Sequence, residues 1–134
     1  GMGAGFALGA KLVFPGHDVW IIYGDGSAAY SLMEYDTFVR HQLPIISLIG
    51  NDGCWSQIAR DQVEILKSDC AVNLARSDYQ DIGKAFGAGG VRVESLETFN
   101  AAVVEAKLLS RKGTPCIINA IIGKTAFRKG SVSM

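Results

Sequence analysis

Residues 19–27 read Val-Trp-Ile-Ile-Tyr-Gly-Asp-Gly-Ser, an apolar run that ends in two glycines flanking an acid. A short run of this kind is typical of a strand that is buried on both faces of a sheet. Residues 45–53 repeat the arrangement as Ile-Ile-Ser-Leu-Ile-Gly-Asn-Asp-Gly. Two buried strands, each ending in a polar, glycine-containing loop, are therefore predicted.

The segment between these strands has the spacing of a helix. Its apolar residues Ala28, Leu32, Tyr35 and Val39 recur at intervals of three or four, and Ser27 is suited to cap the first turn. The pattern predicts one helix of about four turns. A strand, a helix and a second strand in succession indicate parallel pairing, because parallel neighbours need a crossover connection.

The rest of the chain continues the alternation. Weaker helical patterns cover 54–66 and 78–86, separated by a polar loop, and a long helix follows Ser95 as its cap. Two more strands are predicted, around Val91 to Val93 and from Cys116 to Ile122. We therefore expect an α/β fold with an open, mainly parallel sheet and helices on both faces.

Length and composition limit the classes of function. The 134 residues suffice for one domain, and 49% hydrophobic against 19% charged residues is a globular composition. The formal net charge is zero, so no broad cationic surface is expected to bind nucleic acid. No apolar run approaches the length of a membrane helix, about 20 residues. Three cysteines without metal-ligand spacing favour reduced thiols in an intracellular protein.

The first helix, expected to run to Val13, is unusually rich in glycine. Gly1, Gly3, Gly5 and Gly9 lie in it, and each glycine disfavours a helix by about 1 kcal/mol relative to alanine. Such a helix needs support from other parts of a protein, yet no strand precedes it in this chain. We therefore expect residues 1–134 to be an N-terminally truncated piece of a larger protein.

The two loops that follow the strands carry the candidate chemistry. Ligands of open α/β sheets bind beyond the carboxyl ends of the strands, where Asp25 and Asn51 both lie. Their side chains offer the hard oxygen atoms that Mg²⁺ prefers, and phosphate oxygens commonly complete its coordination shell. Gly24 and Gly26 let a phosphate approach the backbone, and a helix beginning at Ser27 would direct its N–H groups toward the same anion. The loops therefore predict a diphosphate site bridged by Mg²⁺, although each one alone is also a common turn sequence.

The pair of loops resembles the diphosphate-binding motif of thiamine diphosphate enzymes, which reads Gly-Asp-Gly, a spacer, then Asn-Asn. Here Gly24-Asp25-Gly26 is followed by the 24 residues 27–50, which begin with Ser27, and then by Asn51, with Gly50 in place of the first asparagine. Residues 5–11 and 33–40 extend the similarity. Residues 51–55 and 127–131 are similar to the acetolactate synthase-like subgroup, now grouped with 2-hydroxyacyl-CoA lyases.

The resemblance implies a role for each residue of the two loops. Asp25, Asn51 and the backbone carbonyl of Gly53 would bind Mg²⁺, and Ser27 and Ala28 would contact the diphosphate together with the two glycines, Gly24 and Gly26. Cys54 and Trp55 follow the metal loop and would line the reaction side, or Trp55 would be a core aromatic.

The resemblance also implies the rest of the enzyme. Members have three domains, and this chain is similar to the last one, which would work with a pyrimidine-binding domain and a middle domain in a homodimer or homotetramer. Some relatives are anchored to a membrane through a segment outside this region. The activating glutamate of the family lies on the pyrimidine-binding domain, so no catalytic residue is expected within 1–134, and the chain alone should bind cofactor without turnover.

Two other functions fit parts of the pattern. A dinucleotide-binding domain would explain the early glycines, but Phe6 and Leu8 stand where its fingerprint needs glycine. A vestigial or purely oligomerising domain of the same fold, without cofactor, would explain the sheet but not the retention of Asp25 and Asn51.

Overall fold

The structure is a computed structural model and describes residues 1–124. Helices and strands alternate along most of the described chain, in the order α1 (Gly3–Val13), β1 (Val19–Gly24), α2 (Asp25–Ala29), α3 (Glu34–Arg40), β2 (Ile45–Asn51), α4 (Ser56–Leu66), α5 (Tyr79–Ala85), β3 (Gly89–Val93), α6 (Leu96–Arg111) and β4 (Cys116–Ile121). The stretch 127–131, which carries part of the subgroup similarity, lies outside the described residues.

All four strands form one parallel sheet in the order β1-β2-β4-β3. The sheet has helices on both faces, which confirms the predicted fold class. One face packs against α1, α2, α3 and α5 through a core that includes Ala7, Phe38, Ile49 and Tyr79. The other face packs against α6, where Ala102 and Ala106 contact the sheet around Ile46 and Ile118.

Most of the predicted elements form within a few residues of their expected bounds. The polar loop over 67–77 lies between α4 and α5 as expected. Ser95 caps α6, because its hydroxyl accepts a hydrogen bond from the Thr98 N–H while the Thr98 hydroxyl accepts one from the Ser95 N–H. Helix α4 differs from the other helices in that none of its residues is buried.

The prediction of one helix of about four turns, capped by Ser27, was wrong. Two short helices, α2 and α3, are joined by a turn over 30–33 in which the backbone changes to i→i−3 bonds, such as Ser31 N–H to the Ala28 carbonyl and Glu34 N–H to the Ser31 carbonyl. Bonds of this kind keep the chain coiled, so the apolar spacing continues across the break. Ser27 is also not the cap, since α2 begins at Asp25 and the Ser27 hydroxyl donates to the Gly24 carbonyl at 3.0 Å.

Among residues 1–124, no helix combines the length and the apolar character needed to cross a bilayer.

The three cysteines differ in accessibility, and thiol labelling should reveal the difference. Cys70 is exposed, whereas Cys54 and Cys116 are buried. Burial raises the pKa of the Cys116 thiol to about 12, which keeps it protonated and unreactive near neutral pH. We expect a disulfide reagent to modify Cys70 rapidly in the native chain, and Cys116 only after denaturation. Cys70→Ser should remove the fast phase, and a fast phase that persists in this variant would contradict the expected burial.

Candidate cofactor-binding site

The two candidate loops leave neighbouring strands at the same edge of the sheet. Strands β1 and β2 pair in a register that sets Gly24 opposite Gly50. Asp25, the first residue of α2, directly follows Gly24, and Asn51, the last residue of β2, directly follows Gly50, so the parallel pairing brings both to the carboxyl edge. This is the edge at which open α/β sheets bind their ligands.

The Asp25 carboxylate connects the two loops. It is only 2% exposed, and one oxygen, Oδ1, accepts a hydrogen bond from the Gly26 N–H at 2.9 Å. The other, Oδ2, accepts one from the Gly53 N–H at 2.8 Å, in the loop that follows β2. A carboxylate has about four acceptor positions, so these two bonds leave some for a cation.

The Asn51 side chain is fully buried, with one end bonded and the other unpaired. Its Nδ2 donates to the Ser77 carbonyl at 3.0 Å and to Asn119 Oδ1 at 3.2 Å. Its Oδ1 has no hydrogen-bond partner among residues 1–124. A buried acceptor without a donor costs about 1–3 kcal/mol, so an unpaired oxygen here is suited to a cation.

Gly53 contributes its backbone to the same region. Its φ of +70° is left-handed, the conformation that favours glycine. Its N–H donates to Asp25, and its carbonyl accepts a hydrogen bond from the Leu74 N–H at 2.9 Å. A carbonyl oxygen has two lone pairs, so the second stays available to a metal ion.

These groups form a set of hard oxygen donors with a single acid. A carboxylate, an amide oxygen and a backbone carbonyl suit Mg²⁺, which is commonly held by one or two carboxylates with phosphates completing its shell. Within the described chain no group of three or more His, Cys, Asp and Glu side chains could hold a metal ion. The set around Asp25 is of a different kind, because it relies on neutral oxygens, and its residue types fit a magnesium diphosphate.

A cavity of about 850 Å³ opens beside the loops. Six of the predicted site residues line it: Gly24, Asp25, Gly26, Ser27, Cys54 and Trp55. The three others, Ala28, Asn51 and Gly53, are buried and do not line it, and the side chain of Ala28 belongs to the core. The cavity continues over apolar residues of the sheet and of α6, which include Ile22, Leu48 and Phe99.

Trp55 forms part of the cavity wall and packs on the first loop. A Cβ at Gly26 would lie 2.7 Å from the Trp55 ring, so only glycine fits beneath the indole. The Trp55 ring also lies 6.1 Å from that of Tyr30, measured between centroids. Trp55 is only partly buried, and it therefore combines a packing role with a position on the cavity.

The charge of the cavity wall is negative. Asp25, Asp52 and Glu94 line it, and among the described residues no Lys, Arg or His does. The pKa of the Tyr79 phenol is raised, first by burial and second by the negative charge of the Asp25 carboxylate. The negative wall would repel a diphosphate. A bound divalent cation would make the local charge attractive to it.

Sequence reasoning missed the residues that hold Asn51. Ser77 lies in the loop before α5, Gln80 lies in α5, and Asn119 lies in the centre of β4. The available signal was the position of Asn119 within the apolar run Cys-Ile-Ile-Asn-Ala-Ile-Ile, since a polar side chain in a buried strand needs a hydrogen-bond partner.

Comparison with known families gives a match over most of the chain. The profile described as "Thiamine pyrophosphate enzyme, C-terminal TPP binding domain" matches residues 1–120. Thiamine pyrophosphate, or TPP, is another name for thiamine diphosphate. The match confirms the resemblance seen in the two loops.

Curated relatives are similar over the whole chain or nearly so. The 2-hydroxyacyl-CoA lyase 2 of Caenorhabditis elegans is 50% identical over 137 residues, which cover 100% of this chain and 21% of that protein. The human 2-hydroxyacyl-CoA lyase 2 is 45% identical, with 100% and 22% covered. An acetolactate synthase large subunit of Mycobacterium tuberculosis is 33% identical, with 90% and 22% covered. The chain thus spans about a fifth of the length of these relatives.

A solved structure shows the same fold. It is the Rhodococcus jostii RHA1 thiamine diphosphate-dependent 4-hydroxybenzoylformate decarboxylase, with a TM-score of 0.80, 24% sequence identity, and coverage of 92% of this chain and 23% of that chain.

Proposed function

The chain belongs to the family of C-terminal, TPP-binding domains of thiamine pyrophosphate enzymes, and on that premise we propose that the loops after β1 and β2 bind the cofactor's diphosphate through Mg²⁺. The observation that carries the proposal is the unpaired, buried Oδ1 of Asn51. Asn51 is the last residue of β2 and directly follows Gly50, which pairs with Gly24 before Asp25. An amide oxygen and a carboxylate lie at one edge of the sheet, beside a cavity whose described lining has no Lys, Arg or His. Such a site needs a metal to hold an anion.

Each residue of the two loops has a part in this proposal. Asp25, Asn51 and the Gly53 carbonyl hold the metal. The backbone of the first loop, at Gly24, Gly26, Ser27 and Ala28, would hold the diphosphate. Cys54 and Trp55 border the cofactor on the side of the cavity.

The chemistry of the cofactor determines what the protein has to supply. When bound, thiamine diphosphate would supply the reactive chemistry, so the protein's task would be to bind and orient it. No residue of the described chain is assigned a catalytic role in this proposal. The chain anchors the diphosphate end, and the groups that would activate the ring belong to another domain.

We further propose that the whole protein is a carbon–carbon lyase or ligase of the 2-hydroxyacyl-CoA lyase or acetolactate synthase type. The names of the relatives that match the whole chain support this assignment. The chain's share of their length, 21% to 22%, supports further domains. By the family resemblance these are a pyrimidine-binding and a middle domain, and the full protein is a homo-oligomer. The three free thiols support an intracellular location.

Calorimetric titration of the chain with thiamine diphosphate tests the diphosphate site. In millimolar Mg²⁺ we expect saturable binding that EDTA weakens by about 100-fold or more, because the acidic cavity wall repels the diphosphate when no cation is present. Titration with NAD in the same buffer provides the control ligand. Binding that does not depend on the metal would contradict the proposal, and binding of neither ligand would support a vestigial or oligomerising domain.

A further inference from the structure

A chain of hydrogen bonds lies next to the Asn51 side chain. Asn51 Nδ2 donates to Asn119 Oδ1 at 3.2 Å, and Asn119 Nδ2 donates to Gln80 Oε1 at 2.7 Å. All three side chains are buried, with Asn51 and Asn119 fully so and Gln80 5% exposed. Three buried amides in contact make a rigid unit only if every donor faces an acceptor.

The Ser77 carbonyl determines which way both asparagines face. It accepts a hydrogen bond from Asn51 Nδ2 at 3.0 Å and another from Asn119 Nδ2 at 3.1 Å. A backbone carbonyl can only accept, so each asparagine must present its NH₂ group to it. The Asn119 oxygen is then directed to the Asn51 NH₂ group, and the orientation of both amides follows.

This arrangement keeps the Asn51 oxygen free of protein donors. Rotating the Asn51 amide by half a turn would place its oxygen against the Ser77 carbonyl and Asn119 Oδ1, which are both acceptors. The observed orientation instead leaves Oδ1 buried and unpaired among the described residues. The hydrogen bonds therefore oppose a rotation that would withdraw the proposed metal ligand.

We propose that Asn119 is a positioning residue for Mg²⁺. Its Nδ2 donates to the Ser77 carbonyl and to Gln80 Oε1, so its Oδ1 faces the Asn51 NH₂ group and fixes the Asn51 amide with Asn51 Oδ1 free to bind the ion. The inference rests on the proposed function, since it assigns Asn51 to the metal. Groups that orient metal ligands commonly change metal affinity by about 10- to 100-fold when removed.

Asn119→Leu tests the inference, because leucine has the same branching and removes both polar atoms. The apparent Kd for Mg²⁺ is measured by titrating the metal into the chain with saturating thiamine diphosphate, and folding is followed by circular dichroism. We expect the Kd to rise by about 10-fold or more, and excess Mg²⁺ to restore cofactor binding. A folded Asn119→Leu chain whose Kd stays within about twofold of the wild type would overturn the inference.

Ser110→Ala is the matched control for the loss of a buried hydrogen bond. Ser110 is 6% exposed and donates to the Pro44 carbonyl at 3.2 Å, at the other end of β2. Its loss should lower thermal stability and leave the Mg²⁺ Kd within about twofold of the wild type. A purely structural role for Asn119 would produce the same pattern as this control.

Gln80→Met supplies a second test should Asn119→Leu fail to fold. It removes one of the two acceptors for Asn119 Nδ2, together with the Gln80 Nε2 bonds to the carboxylates of Asp78 and Asp81. The Mg²⁺ Kd should rise by about threefold or more, and an unchanged Kd would reject the inference. Asn51→Ala separates this result from a failure of the proposed function. If Asn51→Ala loses metal-dependent binding while the other two variants keep it, only the positioning role is wrong. If the wild type binds no Mg²⁺ with the cofactor, both are wrong.

Discussion

Replacing Asp25 with asparagine should lower the affinity for thiamine diphosphate in the presence of Mg²⁺ by about 100-fold or more, equivalent to about 2.7 kcal/mol. Asp25 is the only acid in the proposed donor set, so its loss removes the charge that attracts the cation. It also removes an acceptor that Gly53 needs, because an asparagine has one oxygen in place of the two that bond to the Gly26 and Gly53 N–H groups. The second loop would therefore lose a contact as well as the metal.

Asp36→Asn is the control for Asp25→Asn. Asp36 forms an exposed ion pair with Arg40 at 2.7 Å on α3, and such pairs contribute about 0.3–0.5 kcal/mol. This variant should bind the cofactor as the wild type does. Calorimetry on both variants, with circular dichroism to verify folding, separates the loss of the Asp25 carboxylate from the loss of an exposed carboxylate elsewhere. Equal cofactor affinity in Asp25→Asn and wild type would show that the carboxylate does not hold the metal.

Replacing Gly90 with alanine should destabilise the chain by about 3 kcal/mol, the upper part of the range for overpacking. Gly90 lies in β3, where it packs against the backbone of α5. A Cβ there would overlap the carbonyl oxygen of Gln80, and a backbone atom cannot yield as a flexible side chain can. The helix and the strand would have to separate.

Gly9→Ala is the matched substitution, and it should raise the free energy of unfolding where Gly90→Ala lowers it. A Cβ at Gly9 would meet nothing within 4 Å, and Gly9 lies inside α1, where alanine favours the helix by about 0.8–1.0 kcal/mol. Urea unfolding of the two variants and the wild type measures both changes. A Gly90→Ala chain as stable as the wild type would mean that α5 and β3 are not in close contact.

The strands and the edge of the sheet that carries the loops could be predicted from local patterns. A mainly apolar run that stops at a glycine is visible in 19–24 and again in 45–50. Recognising such a run as a strand needs no knowledge of distant residues. The carboxyl ends of successive parallel strands must meet at one edge. The break between α2 and α3 was not visible, because a turn with i→i−3 bonds preserves the spacing of Ala28, Leu32 and Tyr35.

The support around Asn51 depends on contacts between residues far apart in the sequence. Asn51 and Asn119 are 68 residues apart and meet only because β4 pairs with β2 in the centre of the sheet. The pattern of apolar residues fixes which segments are strands but not their order. Without the order, no partner could be assigned to the asparagine in β4.

The contact between the Asp25 carboxylate and the Gly53 N–H has a consequence for the kinetics of assembly. Because this bond joins the tips of both loops in the folded chain, their relative position is set before any ion arrives. The conformational entropy of arranging the loops is then lost during folding and does not oppose association. Such preorganisation favours rapid capture of the ion, since no slow loop rearrangement has to precede the encounter.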